Sequence, residues 1–202
     1  MPTARTIQLV RRPVGLPTRE DFRCVEVPLP DPGPGEVLLR MEWLSLDPYM
    51  RGRMSDARSY AAPTALGDPP PTEAVARVLQ SNDPALHPGD QVLVHDAWRD
   101  HTVARAANCR KLDPTAAPVQ SWLGILGMPG LTAWAGLKHI GRPTPGETLV
   151  VGAATGAVGS VVGQIARLQG LRVVGVAGGA EKCRYATETL GFEACLDRHQ
   201  PD

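Results

Sequence analysis

The sequence has few aromatic residues, no excess of either charge and no long apolar run. Aromatic side chains make up 4% of its 202 residues, and 21 basic residues balance 21 acidic ones. A balanced charge gives no reason to expect a nucleic acid or an anionic membrane as a partner. The first twelve residues lack the apolar core of a signal peptide, and no stretch is long enough to span a bilayer. We therefore expect a cytoplasmic protein.

The cysteines and histidines form no pattern typical of a metal site. The four cysteines (Cys24, Cys109, Cys183 and Cys195) contain no CxxC pair and have no histidine at zinc spacing. We interpret them as reduced, buried thiols and expect no bound metal. His95 and His101 have no further ligand at a useful spacing, so we interpret both as structural or surface residues.

A strand, a turn of small residues and a helix follow one another between Glu147 and Gly163. Residues 148–151 form a β-branched apolar run, which is typical of a buried parallel strand. Apolar residues then recur at helical spacing, at Val158, Val161, Val162, Ile165 and Leu168. Gly170 ends this helix, and residues 172–177 are a second apolar strand. This order is the context in which a glycine pattern indicates dinucleotide binding.

The turn carries the pattern Ala153-x-x-Gly156-x-x-Gly159, with alanine in the first position of the usual G-x-G-x-x-G. Ala153 permits a tight turn, Gly156 would let the backbone approach a pyrophosphate, and Gly159 would let the helix pack on the strand. Backbone amides from Gly156 to Gly159 would point at the phosphates. A glycine-rich corner with a purely structural role is the alternative.

The second strand ends in glycines where an NAD-preferring site has an acid. Gly178 and Gly179 follow the strand, and Glu181 lies in the first turn of the next predicted helix, where acids are common. Lys182 lies in the same turn, where the helix dipole disfavours a cation. A 2′-phosphate would explain this lysine, so the site predicts NADPH rather than NADH. A solvated surface lysine is the alternative.

The first part of the chain consists of short predicted strands separated by proline and glycine. These strands cover residues 6–10, 22–27, 36–46, 73–79, 91–95, 98–103 and 109–112. They predict a small barrel or sandwich up to about residue 113. Residues 49–54 are a predicted loop after a strand end, where functional residues often lie. Residues 118–126 and 131–139 are predicted helices, interrupted at 127–130.

Three motifs together resemble the zinc-independent double-bond reductases of the medium-chain dehydrogenase/reductase superfamily. They are LDPYMR at 46–51, GMPGLTA at 127–133 and AATGAVG at 153–159. The group includes the prostaglandin reductases and the alkenal or curcumin reductases. Zinc alcohol dehydrogenases of the same superfamily would have a cysteine near residues 47–49 and a Gly-His-Glu sequence later, and this chain has neither.

The resemblance implies an α/β plus β fold, with a GroES-like β-rich domain at 1–120 and the first portion of a Rossmann domain at 121–202. It implies NADPH/NADP⁺ as cofactor and hydride transfer to the β-carbon of an α,β-unsaturated ketone or aldehyde. A homodimer is expected of a full-length member. The implied pyrophosphate site is Gly156, Ala157, Val158 and Gly159, and Lys182 would bind the 2′-phosphate. Met128 and Thr132 would lie near the nicotinamide. Tyr49 and Met50 would line the substrate cleft.

Three features depart from the family pattern. Arg198 stands where the family usually has tyrosine, and an arginine could also bind a phosphate. Three prolines at 69–71 stand in a usually glycine-rich stretch, which brings the local packing into question. A doubly wound sheet has the order 3-2-1-4-5-6, whereas this sequence supplies two strands and the start of a third, at 194–197.

This third departure bears directly on activity. We expect the family's enolate-stabilising tyrosine to lie beyond residue 202, so no catalytic residue is assigned. We expect the first Rossmann strand to have an open apolar edge, and residues 1–202 to turn over no enone. The alternative to a truncated ene-reductase is a non-catalytic module that binds nucleotide weakly.

Overall fold

The computed structural model describes residues 2–200. The chain divides into two compact units, Met1–Leu123 and Gly124–Asp202. The strands of the first unit are β1 (Thr3–Leu9), β2 (Phe22–Pro28), β3 (Glu36–Leu44), β4 (Pro71–Ser81), β5 (Gln91–Ala97), β6 (His101–Arg105) and β7 (Cys109–Lys111). Its α-helix is α1 (Pro48–Arg53), and short 3₁₀ turns cover Arg19–Asp21, Ala106–Asn108 and Val119–Leu123.

The first unit is built on an antiparallel sheet in the order β6-β3-β4-β5-β7, beside the hairpin β1-β2. Alternate residues of the central strands point to one face, as the period of two in a strand requires. The buried residues of this face are Val37 and Leu39 of β3, Ala74, Ala76 and Val78 of β4, and Val92 and Val94 of β5. The alternation in the sequence therefore determines which face forms the core.

The prolines at 69–71 fit the start of the central strand β4. Pro71 is the first residue of β4 and pairs with Ala97 of β5, a place where the missing N–H of proline is tolerated. Pro70 is fully buried, and its carbonyl oxygen accepts a hydrogen bond of 2.9 Å from the Trp98 amide. The prolines thus begin the strand in a well-packed place.

The second unit is a three-stranded parallel sheet with helices. Its elements are α2 (Met128–Ala135), a π-helical turn (Gly136–Gly141), β8 (Thr148–Gly152), α3 (Gly159–Leu168), β9 (Arg172–Ala177), α4 (Ala180–Arg184), a second π-helical turn (Tyr185–Thr189) and β10 (Ala194–Asp197). The strand order is β10-β9-β8, which corresponds to 3-2-1 of a doubly wound sheet. Within the described residues, no strand pairs with the outer edge of β8, and Val150 is 64% exposed. The predicted combination of a β-rich part with a partial Rossmann sheet is confirmed.

Several boundaries differ from the predictions. Residues 48–53 form helix α1 rather than a loop, because the proline after Asp47 suits a first helical turn. Residues 128–130 begin α2 instead of interrupting a helix, for the same reason. The predicted helix at 118–126 is only a 3₁₀ turn over Val119–Leu123, and the strand predicted from residue 98 begins at His101.

The buried face of α3 also differs from the predicted apolar stripe. Leu168 is 88% exposed, whereas Gly163 and Ala166 are buried. The ring of Phe192 packs directly over Gly163, so the small residue makes room for an aromatic side chain from the loop before β10. The cysteines are less buried than predicted as well: Cys24 is exposed and the other three are partly exposed.

Candidate functional site

The turn between β8 and α3 is held by a residue in a left-handed conformation. Ala153 has φ of +47°, which is uncommon for a residue with a side chain. Its carbonyl oxygen accepts a hydrogen bond of 2.8 Å from the Gly156 amide, while the Ala154 amide donates to Val176 of β9 at 3.1 Å. The tight turn predicted at Ala153 is present, and the neighbouring strand anchors it.

Gly159 lets the first turn of α3 lie against this loop. A Cβ at Gly159 would overlap the carbonyl oxygen of Ala153 and come within 3.2 Å of the Ala154 Cα. A Cβ at Gly156 would lie 3.1 Å from the same Ala153 oxygen. Gly159 is therefore required sterically, whereas a side chain at Gly156 would make a tight contact with the loop; the predicted approach of Gly156 to a pyrophosphate stays a prediction.

The start of α3 presents backbone N–H groups without partners. Within residues 2–200, no acceptor pairs with the amides of Ala157, Val158 and Gly159, whereas the Ser160 amide donates to Gly156 at 2.9 Å. The first amides of a helix lack intrahelical acceptors and carry the positive end of its dipole. This arrangement can hold an anionic group such as a pyrophosphate.

Cationic side chains gather near the carboxyl ends of β9 and β10. Lys182 is exposed in α4, just after the Gly178-Gly179 turn. A Cβ built on Gly178 would lie 3.0 Å from Arg198 Nε and 2.9 Å from His199 Nε2, so both side chains lie against this glycine. Among the described residues, neither Lys182 nor Arg198 forms an ion pair. Their charge is available to a ligand.

Asp197 is an acidic residue in the same region. The Asp197 carboxylate, at the end of β10, accepts hydrogen bonds from the amides of Gly179 and His199 at 2.8 and 3.0 Å. These two backbone bonds, first that of Gly179, hold the pKa of Asp197 below its usual range. The sequence analysis assigned no role to Asp197 or His199. An acid followed by two basic residues at a strand end is the signal that could have pointed to them.

Met128 and Thr132 lie one helical turn apart in α2. Met128 is 43% exposed, and the Thr132 hydroxyl donates a hydrogen bond of 2.7 Å to its carbonyl oxygen. Gly130 of the same motif is required sterically, because a Cβ there would overlap the carbonyl oxygen of Ile125. The GMPG motif thus builds a compact helix start that leaves Met128 and Thr132 accessible.

In the first unit, Tyr49 and Met50 have different surroundings. Met50 is 3% exposed and packs with Leu9 and Met54, whereas Tyr49 is only partly buried at the edge of this cluster. Burial, followed by the charge of Asp47, raises the pKa of Tyr49. Tyr49 is thus a protonated phenol at neutral pH.

Glu73 is an acid near this tyrosine that the sequence analysis passed over. It lies opposite His95 in the β4-β5 pair, and its carbonyl oxygen accepts the Ser45 amide at 2.9 Å. Burial raises the pKa of Glu73, the nearby His95 lowers it, and Asp47 raises it further. An acid at the start of a predicted strand, two residues after three prolines, was the available signal.

A groove of the first unit lies elsewhere. Its volume is about 470 Å³, and its lining includes Trp43, Leu46 and Trp98 but neither Tyr49 nor Met50. Within residues 2–200, no group of three or more histidine, cysteine or acidic side chains is placed to hold a metal ion. No helix in the described part of the chain is both long and apolar enough to cross a membrane.

Comparison with known proteins identifies the first unit. Residues 5–112 match the family model described as the N-terminal domain of oxidoreductase. The chain belongs to this oxidoreductase family. Its place among the zinc-independent NADP-dependent reductases of the medium-chain dehydrogenase/reductase superfamily is confirmed by its relatives.

Two curated relatives and one solved structure describe this family further. The chain is 55% identical to an Escherichia coli NADPH-dependent curcumin reductase over 196 residues, covering 96% of the chain and 56% of that protein. It is 43% identical to rabbit (Oryctolagus cuniculus) prostaglandin reductase 1, covering 89% of the chain and 50% of that protein. CurA of Vibrio vulnificus in complex with NADPH superposes with a TM-score of 0.92 at 48% identity, over 98% of this chain and 59% of that one. The chain thus spans about half the length of the curated relatives that it matches.

Proposed function

We propose that the second unit binds NADPH, and that the oxidoreductase to which it belongs reduces the C=C bond of small α,β-unsaturated ketones or aldehydes. The observation that carries the proposal is the pairing of two features on one parallel sheet. Among residues 2–200, the amides of Ala157, Val158 and Gly159 have no acceptor, and Arg198, which forms no ion pair with a described residue, lies against Gly178 at the end of the next strand. Relatives named for NADPH-dependent curcumin reduction and prostaglandin reduction support it.

The residues present fit this cofactor. The amides of Ala157, Val158 and Gly159 would hold the pyrophosphate, and Lys182 with Arg198 would hold the 2′-phosphate. The exposed side chains of Met128 and Thr132 would lie toward the nicotinamide. The bound cofactor would supply the hydride, while the chain's residues bind it and orient it.

Tyr49 is the residue of the first unit that we propose to contact substrate. Its partly buried, protonated hydroxyl can donate a hydrogen bond, and the apolar cluster around Met50 supports its helix. Met50, which is buried, would then line the substrate cleft mainly by supporting Tyr49. A small enone or enal suits such a partly apolar position.

We propose a cytoplasmic location and, for a full-length member, a homodimer. The balanced charge of the sequence supports a small-molecule partner rather than a nucleic acid or a membrane. A second candidate is a non-catalytic module that binds nucleotide only weakly.

Two measurements test these proposals. Titration of the purified chain with NADPH and NADH, followed by fluorescence, should show tighter binding of NADPH. NADPH absorbance with a small enone, measured beside the full-length E. coli relative, should show little or no turnover by residues 1–202. Loss of an oxyanion donor alone lowers the rate by about 100- to 1,000-fold. Equal affinity for both cofactors would contradict the NADPH proposal, and turnover within about tenfold of the relative would rule out the non-catalytic candidate.

A further inference from the structure

The ends of β9 and β10 are tied together through Asp197. One carboxylate oxygen, Oδ1, accepts both the Gly179 and the His199 amides. The Arg198 amide donates a hydrogen bond of 2.9 Å to Ala177, the last residue of β9. The turn after β9 and the turn after β10 therefore share one anchor.

This anchor lies next to the Arg198 and His199 side chains. Gly179 has φ of +94°, a conformation that glycine adopts readily. The Arg198 guanidinium and the His199 ring lie against Gly178, so closely that a Cβ there would require these side chains to shift. Because Arg198 and His199 flank the Gly178-Gly179 turn and the Asp197 oxygen joins both segments, we expect a change at Asp197 to move these two side chains relative to the turn.

We propose that Asp197 is a positioning residue for recognition of the cofactor 2′-phosphate, which it serves through the two backbone turns and not by touching the phosphate. The inference rests on the proposed NADPH site. Asp197 brings a negative charge close to the region where a phosphate would bind, and this charge by itself opposes phosphate binding. The two backbone hydrogen bonds that its carboxylate accepts are a reason for an acid to occupy this place.

Two hypotheses for Asp197, a positioning role and a purely electrostatic role, predict different 2′-phosphate affinities for a pair of variants. In Asp197→Asn, the amide oxygen can still accept both N–H groups, but the charge is gone. In Asp197→Ala, both the charge and the acceptor are gone. If Asp197 acts only through its charge, both variants should bind the 2′-phosphate more tightly. If it positions the turns, only the alanine variant should lose 2′-phosphate recognition.

The test uses adenosine 2′,5′-bisphosphate and AMP, which differ only in the 2′-phosphate, titrated calorimetrically into the 202-residue chain. We expect the preference for the bisphosphate to fall by about tenfold or more in Asp197→Ala and to stay equal or rise in Asp197→Asn, since about 1.4 kcal/mol corresponds to tenfold. AMP affinity should change little in either. Amide hydrogen exchange at Gly179 and His199 should accelerate in the alanine variant only.

A second variant protects the test against a folding defect at Asp197. In Gly178→Ala, Asp197 is intact, but the new methyl group must displace the Arg198 and His199 side chains, so the same selective loss is expected. A wild-type chain that does not prefer the bisphosphate would overturn the proposed NADPH site and this inference with it. A wild-type preference that survives in Asp197→Ala, or that rises equally in both Asp197 variants, would overturn the role of Asp197 alone.

Discussion

The α-carbon of Gly159, in the first turn of α3, faces the carbonyl oxygen of Ala153 so closely that a Cβ there would overlap it. Ala153 itself is held at φ of +47° by the turn that this contact closes. The start of the helix and the loop before it therefore pack as one unit. This packing orients the backbone amides at the start of the helix.

Replacing Gly159 with alanine should destabilise the second unit. Overpacking against a fixed backbone costs about 1–3 kcal/mol, and the relaxation it forces would turn the free amides away from a bound pyrophosphate. Urea unfolding monitored by circular dichroism measures the change. Gly152→Ala is the matched control, because a Cβ at Gly152 meets nothing within 4 Å and its φ is not positive. Equal stability of the two variants would contradict the steric role of Gly159.

Replacing Lys182 with alanine should weaken NADPH selectively. A lost hydrogen bond to a charged group corresponds to about 1.5–3 kcal/mol, while NADH, without the 2′-phosphate, should bind nearly unchanged. Fluorescence titration with both cofactors measures the ratio. Lys138→Ala serves as control, since that ammonium group lies 4.6 Å from the Trp134 ring centre and is assigned no cofactor role. Equal weakening of both cofactors by Lys182→Ala would remove Lys182 from the 2′-phosphate site.

The thiols should react in a definite order. Burial, followed by the charge of Asp96, raises the pKa of Cys109 to about 11. Burial, followed by the neighbouring Cys183 thiol, raises the pKa of Cys195 to about 11. Because a raised pKa disfavours the thiolate, about one molecule in a thousand carries either thiolate near pH 8. Limiting iodoacetamide with peptide mass spectrometry should find the exposed Cys24 modified first.

The pH dependence of alkylation tests whether the raised pKa values cause the low reactivity of Cys109 and Cys195. Reaction at Cys109 and Cys195 should keep rising up to about pH 11, and unfolding in guanidinium chloride should bring all four cysteines to similar rates. Rapid modification of Cys195 near pH 8 in the folded chain would show that its thiol is not stabilised in the protonated form.

Zinc should not be required for binding or activity. The described part of the chain brings together no group of three or more ligating side chains. Metal analysis after dialysis against a chelator should find less than stoichiometric zinc, with cofactor binding unchanged. Zinc that is bound stoichiometrically and lost together with cofactor binding would mean that the histidines and cysteines have been misinterpreted.

The sequence alone identified the elements that depend on local pattern. Strands β9 and β10 have the predicted bounds. For β9 the signal was a β-branched apolar run between Gly170 and Gly178. The glycine pattern at 153–159 was sufficient to predict the turn, since its spacing reflects steric limits within seven residues. The helix at Pro48 was missed although the signal was local, because proline was taken as a stop rather than as a first-turn residue.

Tertiary structure decided which residues share a surface. The exposure of Leu168 and the burial of Gly163 depend on Phe192, a residue that lies far along the chain and meets α3 only once the sheet has formed. The contact of Arg198 and His199 with Gly178, and the anchoring of both turns by Asp197, likewise require β9 and β10 to pair in parallel register. Local periodicity determines which face an element offers, but the partner that meets this face is determined by the pairing of distant strands. The position of Arg198 beside Gly178 depends on that pairing.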